Sequence, residues 1–325
     1  MPSTVSVTVH PGQFPASIRS ELIQRLRQRR IPPKFHYQSY KQSQKWLALH
    51  NAWSPSRTDP DCAAIYDQSF AAAGGLIAEG PVRVIGLGCG GGQKEARLLT
   101  LLAEQGRELS YTPCDVSLPL VLTATEEATR AVGSLPCTPL LCDLAVADDL
   151  PAVLNRLGEK TPLRIITFFG MIPNFEPDDI APRLAAVIRP GDILLVSANL
   201  APGPDYAAGV RRILRGYDNP ETRDWLLTFL FDLGIEPGDG VLQIHIEEAQ
   251  GLRRIAADFQ FLRDRALTLD DERIEYRAGE SLRLFFSYRY TPEKSEQLLS
   301  SHRLKLVGQW ITKSGEEGVF ACRVD

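Results

Sequence analysis

No apolar run in the 325 residues is longer than a strand, so no membrane-spanning helix and no membrane partner are expected. There is no basic excess either. Lys and Arg number 36 against 40 Asp and Glu, a formal charge of −4. Polyanion binding wants a basic surface, so nucleic acid is not expected as a partner. The six cysteines (Cys62, Cys89, Cys114, Cys137, Cys142, Cys322) form no C-x-x-C pair and show no zinc-type spacing with histidine, so no metal is expected. They read as small buried thiols in a reducing cytoplasm. The opening MPSTVSVTVHPGQF lacks a basic segment followed by an apolar one, so no secretory signal is expected. Internal repeats and low-complexity tracts are missing. The histidines are scattered, and only His36, beside Tyr37, lies near a candidate site.

Glycine, in contrast, is concentrated at one place. Residues 82–94 read VRVIGLGCGGGQK, a short apolar strand, then Gly86, Gly88, Gly90, Gly91 and Gly92, then a helix opening at Gln93. Without a Cβ the backbone there can turn sharply and lie against a bulky ligand. Strand, glycine turn and helix form the nucleotide-holding unit of doubly wound α/β proteins. The pattern fits G-x-G-x-x-G of dinucleotide binders and equally the G-x-G-x-G turn of S-adenosylmethionine (SAM)-dependent methyltransferases.

Beyond that turn the pattern alternates. Strands are expected at 82–88, 109–115, 138–144, 163–169 and 192–200, and helices at 93–105, 118–132, 148–158 and 177–188. That is a parallel sheet covered on both faces. Before it, residues 15–30 read as an amphipathic helix and Asp59-Pro60 caps another that runs to about Ala78. After it, residues 204–286 break the alternation. They carry helices at 205–216 and 220–233 and strand candidates in LQIHIEEA, RRIAADFQFL and DERIEYRAGESLRLFF, an insertion with its own small sheet. The chain ends in a helix at 292–301 and two strands joined by a turn at 313–317. The expected fold is α/β, a Rossmann-like doubly wound sheet of the class I methyltransferase plan with a terminal antiparallel hairpin. A smaller α+β accessory domain completes it. The expected core is 61–203 with 287–325, and the accessory unit 1–60 with 204–286.

Ligands of such sheets sit beyond the carboxyl ends of the strands. Asp115 ends the second strand, where a carboxylate can take both ribose hydroxyls. Asp143 follows the third and can reach an adenine amino group. Either alone could be a helix N-cap; together they favour an adenosyl ligand. Three readings stay open on the residues alone. They are a methyltransferase, a Rossmann-type NAD(P)-dependent oxidoreductase and a non-catalytic SAM-binding protein.

From about Pro32 to Val324 the chain resembles the histidine Nα-methyltransferase family of ergothioneine biosynthesis and its amino-acid N-methyltransferase relatives. The resemblance is carried, in order, by IPPKFHY, SPSRT, GLGCGGGQK, TPCDVS, CDL, FFGMIPNF, RPGDILL, RGYDN and RAGESLRLFFSYRYTPE. It implies a SAM cofactor, released as S-adenosylhomocysteine, and methylation of the amino group of a small amino acid or derivative. Tyr37, Gly86, Gly88, Gly90, Lys94, Asp115, Asp143 and Leu144 are its implied cofactor residues. Asn174 and Tyr217 would hold the substrate carboxylate, with Gly170 at the amino group. Tyr37, Asn174 and Gly170 would aim the amine. Loop 170–174 is one residue shorter than the family's. The imidazole readers change: Trp53 stands for a tyrosine and Phe285 for a glutamate, while Ser287 is kept. An apolar ring cannot pair with an imidazole N–H, so histidine is expected to be a poor substrate. The arginines Arg211, Arg212 and Arg215 are alternative carboxylate holders.

Overall fold

The structure, a computed structural model, describes residues 4–158 and 163–324. The chain's first and last residues, in the expected accessory and core units respectively, lie outside it. The strands, in chain order, are β1 (Thr8–Val9), β2 (Val82–Leu87), β3 (Leu109–Asp115), β4 (Leu140–Leu141), β5 (Leu163–Phe169), β6 (Ile193–Asn199), β7 (Gly240–Ala249), β8 (Leu252–Phe261), β9 (Arg265–Leu269), β10 (Glu272–Tyr276), β11 (Ser281–Arg289), β12 (Leu304–Ile311) and β13 (Glu317–Val324). Eight of them form one sheet in the order β1-β4-β3-β2-β5-β6-β13-β12. The pairs from β1 to β6 are parallel. Strand β13 enters antiparallel between β6 and β12. This is the sheet order of class I methyltransferases, with β1 added at one edge.

Every residue of β2 is buried because helices cover both faces. Its alternation divides the core. Ile85 and Leu87 pack with Ile166, Phe168 and Leu194 on one side. Val82 and Val84 pack with Ile165, Leu195 and Val319 on the other. The chain leaves β2 for β3 and β4, then returns to β5 on the opposite flank. A crevice therefore opens at the carboxyl ends of β2 and β5. Helix starts match the sequence. Asp59 caps Pro60–Leu76 through the Asp61 amide, and Ser117 caps Leu118–Val132 through the Leu120 amide.

A second unit stands over that crevice. Strands β7, β8 and β11 form an antiparallel sheet, and β9 pairs with β10. Its core joins Trp225, Phe229, Phe259 and Phe285 from the insertion to Leu26, Ile31 and Phe35 from the N-terminal segment. Several details differ from the sequence reading. Strand β4 is two residues long, because its register with β3 covers Cys114 and Asp115 alone. After Cys142 the chain turns, with Asp143 Oδ1 accepting the Ala145 amide at 2.9 Å. The stretch 271–286 is two strands, broken at a turn where Gly279 adopts φ +88°. Strand β9, RALTL, was not expected; Leu267 is its one fully buried residue, so no apolar run announces it. Strand β11 runs on to Arg289, past the expected boundary at 286, and β1 joins the core sheet although it lies within 1–60.

Candidate active site

A cavity of about 630 Å³ lies between the carboxyl ends of the core strands and the second unit. The glycine turn forms its floor. Gly88 and Gly90 have φ of +67° and +52°, and a Cβ on them would sit 2.7 Å from Met171 Cγ and 2.8 Å from the Trp46 ring. Only glycine suits both the backbone and the space. Gly86 lies within β2 and is not among the cavity-lining residues; its hydrogen atoms face Tyr111, Cys89 and Glu95 instead.

Asp115 ends β3 and lines the cavity. Its Oδ2 accepts the Gly90 amide at 3.1 Å and its Oδ1 the Ser117 amide at 3.0 Å. Each oxygen keeps a second acceptor position. Burial pushes the carboxyl up to about 6; the backbone amides oppose that shift. Asp143 and Leu144 line the cavity beyond the end of β4. Here the sequence reading missed a partner. Lys34, almost fully buried, donates to Asp143 Oδ2 at 2.8 Å and to Glu21. A buried cation between two carboxylates ties the N-terminal segment to the expected adenine end. Its place in IPPKFHY, a motif already singled out, was the available signal.

Lys94 and Gly170 meet through a polar chain. Lys94 Nζ donates to Tyr66 Oη at 2.8 Å, and its ammonium lies 4.3 Å from the Tyr66 ring centre. The Tyr66 hydroxyl donates to buried Glu317 and lies 2.8 Å from Ser197 Oγ. Ser197 Oγ accepts the Gly170 amide at 2.8 Å. The chain fixes the start of the 170–174 loop, where Gly170 has φ +70°. Gly170 and Asn174 both line the cavity.

Aromatic rings close the opposite wall. Tyr37 packs on Trp46 and Trp225 at ring distances of 5.7 and 5.3 Å. Burial and the Asp115 charge hold its phenol well above the usual tyrosine range, so it stays protonated. Phe285 lines the cavity, stacked on Tyr217 at 6.1 Å and edge-on to Trp225 at 5.9 Å. Tyr217 Oη lies 3.1 Å from Ser287 Oγ and accepts Asn199 Nδ2 at 3.3 Å. Ser287 is fully buried and absent from the cavity wall, so it orients Tyr217. Trp53 stands on the rim, 47% exposed, its indole donating to Glu221 at 3.2 Å. Arg212 reaches the wall but pairs with Glu316 at 3.2 Å. Two other residues near the site take structural parts. His36 is fully buried away from the cavity, donates Nε2–H to the Leu284 carbonyl at 2.8 Å and is neutral, its pKa lowered to about 4 by burial. Cys89 lines the cavity, but burial holds it as a thiol.

The cavity thus brings together residues from the glycine turn, the ends of β3, β4 and β6, the 170–174 loop and both halves of the second unit. The chain is 22% identical over 247 residues to N-methyltransferase imqF of Aspergillus flavus, a match covering 73% of this chain and 66% of that protein. It therefore spans just under two thirds of the length of that curated relative. Among solved structures it is similar to the CcbJ methyltransferase from Streptomyces caelestis, at 15% identity and TM-score 0.41, over 82% of this chain and 96% of that one. It is also similar to magnesium protoporphyrin IX methyltransferase from Synechocystis PCC 6803, solved with bound S-adenosylhomocysteine. That match has 15% identity and TM-score 0.45, over 88% of this chain and 95% of that one. Residues 18–324, nearly the whole chain, match the family described as histidine-specific, SAM-dependent methyltransferases, and the chain belongs to that family.

Proposed function

We propose that this protein methylates the amino nitrogen of a small amino acid or close derivative other than histidine, using SAM. One observation carries the reading. The cofactor-side residues Asp115, Asp143 and Gly88 and the substrate-side residues Asn174, Tyr217 and Phe285 line the same cavity. SAM fits the donors and acceptors present. The Asp115 carboxylate retains free acceptor positions towards the cavity, and the glycine turn leaves room that any side chain would fill. When bound, SAM supplies an electrophilic methyl on a sulfonium.

The chain's task is then positioning, which does most of the work in a displacement of this kind. Asp115 holds the ribose and Asp143 with Leu144 the adenine, while Tyr37 and Lys94 border the methionine end. Asn174 and Tyr217 hold the substrate carboxylate. Two of Tyr37 Oη, the Asn174 side-chain oxygen and the Gly170 carbonyl accept the two N–H bonds of the neutral amine and aim its lone pair. Phe285 excludes water and offers no acceptor. An imidazole N–H buried against it would lose about 1–3 kcal/mol, which favours apolar or aromatic side chains. No metal enters this scheme.

The test supplies SAM with each amino acid in turn and follows S-adenosylhomocysteine and the mass of the product. An apolar or aromatic amino acid is expected to be N-methylated at least about tenfold more efficiently than histidine. A preference for histidine would remove the substrate assignment. SAM binding without turnover of any amino acid would remove the substrate class.

A further inference from the structure

Arg289, the last residue of β11, is 3% exposed and lines the cavity. Its guanidinium lies over the Tyr217 ring, 4.8 Å from the centre. Its Nε is shut off from solvent and has no hydrogen-bond partner. Among the described residues no carboxylate pairs with it. The arginines around it are served. Arg253, opposite in the β11–β8 register, pairs with Glu248 at 2.7 Å, and Arg212 on the same cavity pairs with Glu316.

An uncompensated buried cation is costly, because desolvation is not repaid by a counter-charge. The surroundings point to where that charge comes from. The two neutral groups expected to hold a substrate carboxylate, Tyr217 and Asn174, line the same cavity. Asn199, which donates to Tyr217, hydrogen-bonds through its carbonyl to the Tyr290 amide, the residue after Arg289. Neutral donors alone leave a half-buried carboxylate without a counter-ion. A guanidinium supplies both the charge and a fork that matches two carboxylate oxygens.

We infer that Arg289 is the anion-binding residue of this site and that the substrate must carry a carboxylate. The inference deepens the amino-acid reading and rests on it for the nature of the ligand. Chain geometry supports the assignment. Phe285, Ser287 and Arg289 alternate onto one face of β11. The strand thus carries a ring for the side chain, a hydroxyl to orient Tyr217 and a cation for the carboxylate.

The experiment measures binding, not turnover. Protein saturated with S-adenosylhomocysteine is titrated with phenylalanine, tyrosine and leucine, and with the matching amines phenethylamine, tyramine and isoamylamine. Wild type should favour acids over amines by tenfold or more. Arg289→Met should erase that preference, Arg289→Lys should keep part of it, and both should bind S-adenosylhomocysteine as wild type does. No acid-over-amine preference in the wild type overturns the inference, as does an undiminished preference in Arg289→Met. A fall in S-adenosylhomocysteine affinity in Arg289→Met would place the arginine on the cofactor's own carboxylate and overturn it too. The two readings fail separately. An acid that binds through Arg289 and is never methylated would sink methyl transfer alone. Methylation by Arg289→Met with an unchanged KM would sink the anion site alone.

Discussion

Replacing Asp115 with Asn should weaken cofactor binding and remove a pH dependence of stability. The carboxylate already accepts the Gly90 and Ser117 amides, and its remaining acceptor positions would meet two ribose hydroxyls. One charge-assisted bond at net strength is worth about 1.5–3 kcal/mol, or roughly 10- to 150-fold in Kd. An amide keeps one acceptor oxygen but turns an N–H towards the hydroxyls, so most of that is lost. Stability responds through pH. Burial raises the Asp115 carboxyl from 3.8 to about 6, so the folded state binds the proton more tightly than the unfolded chain. Without ligand the ionised form therefore costs stability above pH 6. The penalty, up to about 3 kcal/mol from the size of the shift, is relieved as pH falls through 6 towards 4. Asp115→Asn never ionises, so that pH dependence should vanish in the ligand-free variant, while its NH2, turned onto the Gly90 or Ser117 amide, strands one buried donor and offsets the gain at pH 7 by about 1–3 kcal/mol. Wild-type affinity for S-adenosylhomocysteine should weaken as pH falls below 6, while the variant's should not follow. Calorimetric titrations from pH 5 to 8, with melting curves of the ligand-free proteins, read both effects. Equal Kd values at pH 7, or equal pH slopes, would take Asp115 out of the cofactor site. A wild-type melting temperature that does not rise relative to the variant's as pH falls from 8 to 5 would refute the burial argument.

Lys34→Met should strand Glu21 and Asp143 without their shared cation and cost about 3–5 kcal/mol in thermal or denaturant unfolding; adding Glu21→Gln should return part of it, and no recovery would deny the triad. Asn174→Ala and Tyr217→Phe should raise the KM for the amino acid while leaving S-adenosylhomocysteine binding nearly unchanged in calorimetry; loss of cofactor binding in either would misplace that residue. Phe285→Glu should shift a mixed amino-acid competition towards histidine, read by mass spectrometry of the methylated products; an unmoved product ratio would mean that Phe285 does not choose the side chain.

The core was legible because its signals are local. A buried strand, a glycine turn and a capped helix each announce themselves within a few residues, and β3, β5 and the Leu118–Val132 helix fall where the pattern puts them. The accessory sheet was less so. Strands β7, β9 and β10 are half-exposed, β9 buries a single side chain fully, and no apolar run marks it off from a loop. Strand β4 shows the opposite failure: the apolar pattern of 138–144 continues after the ladder has ended, because burial does not require pairing.

The site divides along a similar line. Residues that work by ending a strand or opening a turn, such as Asp115 and Gly88, could be placed from sequence, since the sheet fixes where strand ends point. Residues that work through a distant partner could not. Lys34 gains its meaning from Asp143, a partner 109 positions away. Ser287, kept as a candidate ring reader, spends its hydroxyl on Tyr217, 70 positions away. Arg289 is conspicuous for the contact it lacks, and a lack of that kind is visible only once every acidic neighbour has been placed. In the proposed reading the substrate's counter-ion, Arg289, belongs to this second class, which is why the sequence points to the cofactor more readily than to the substrate.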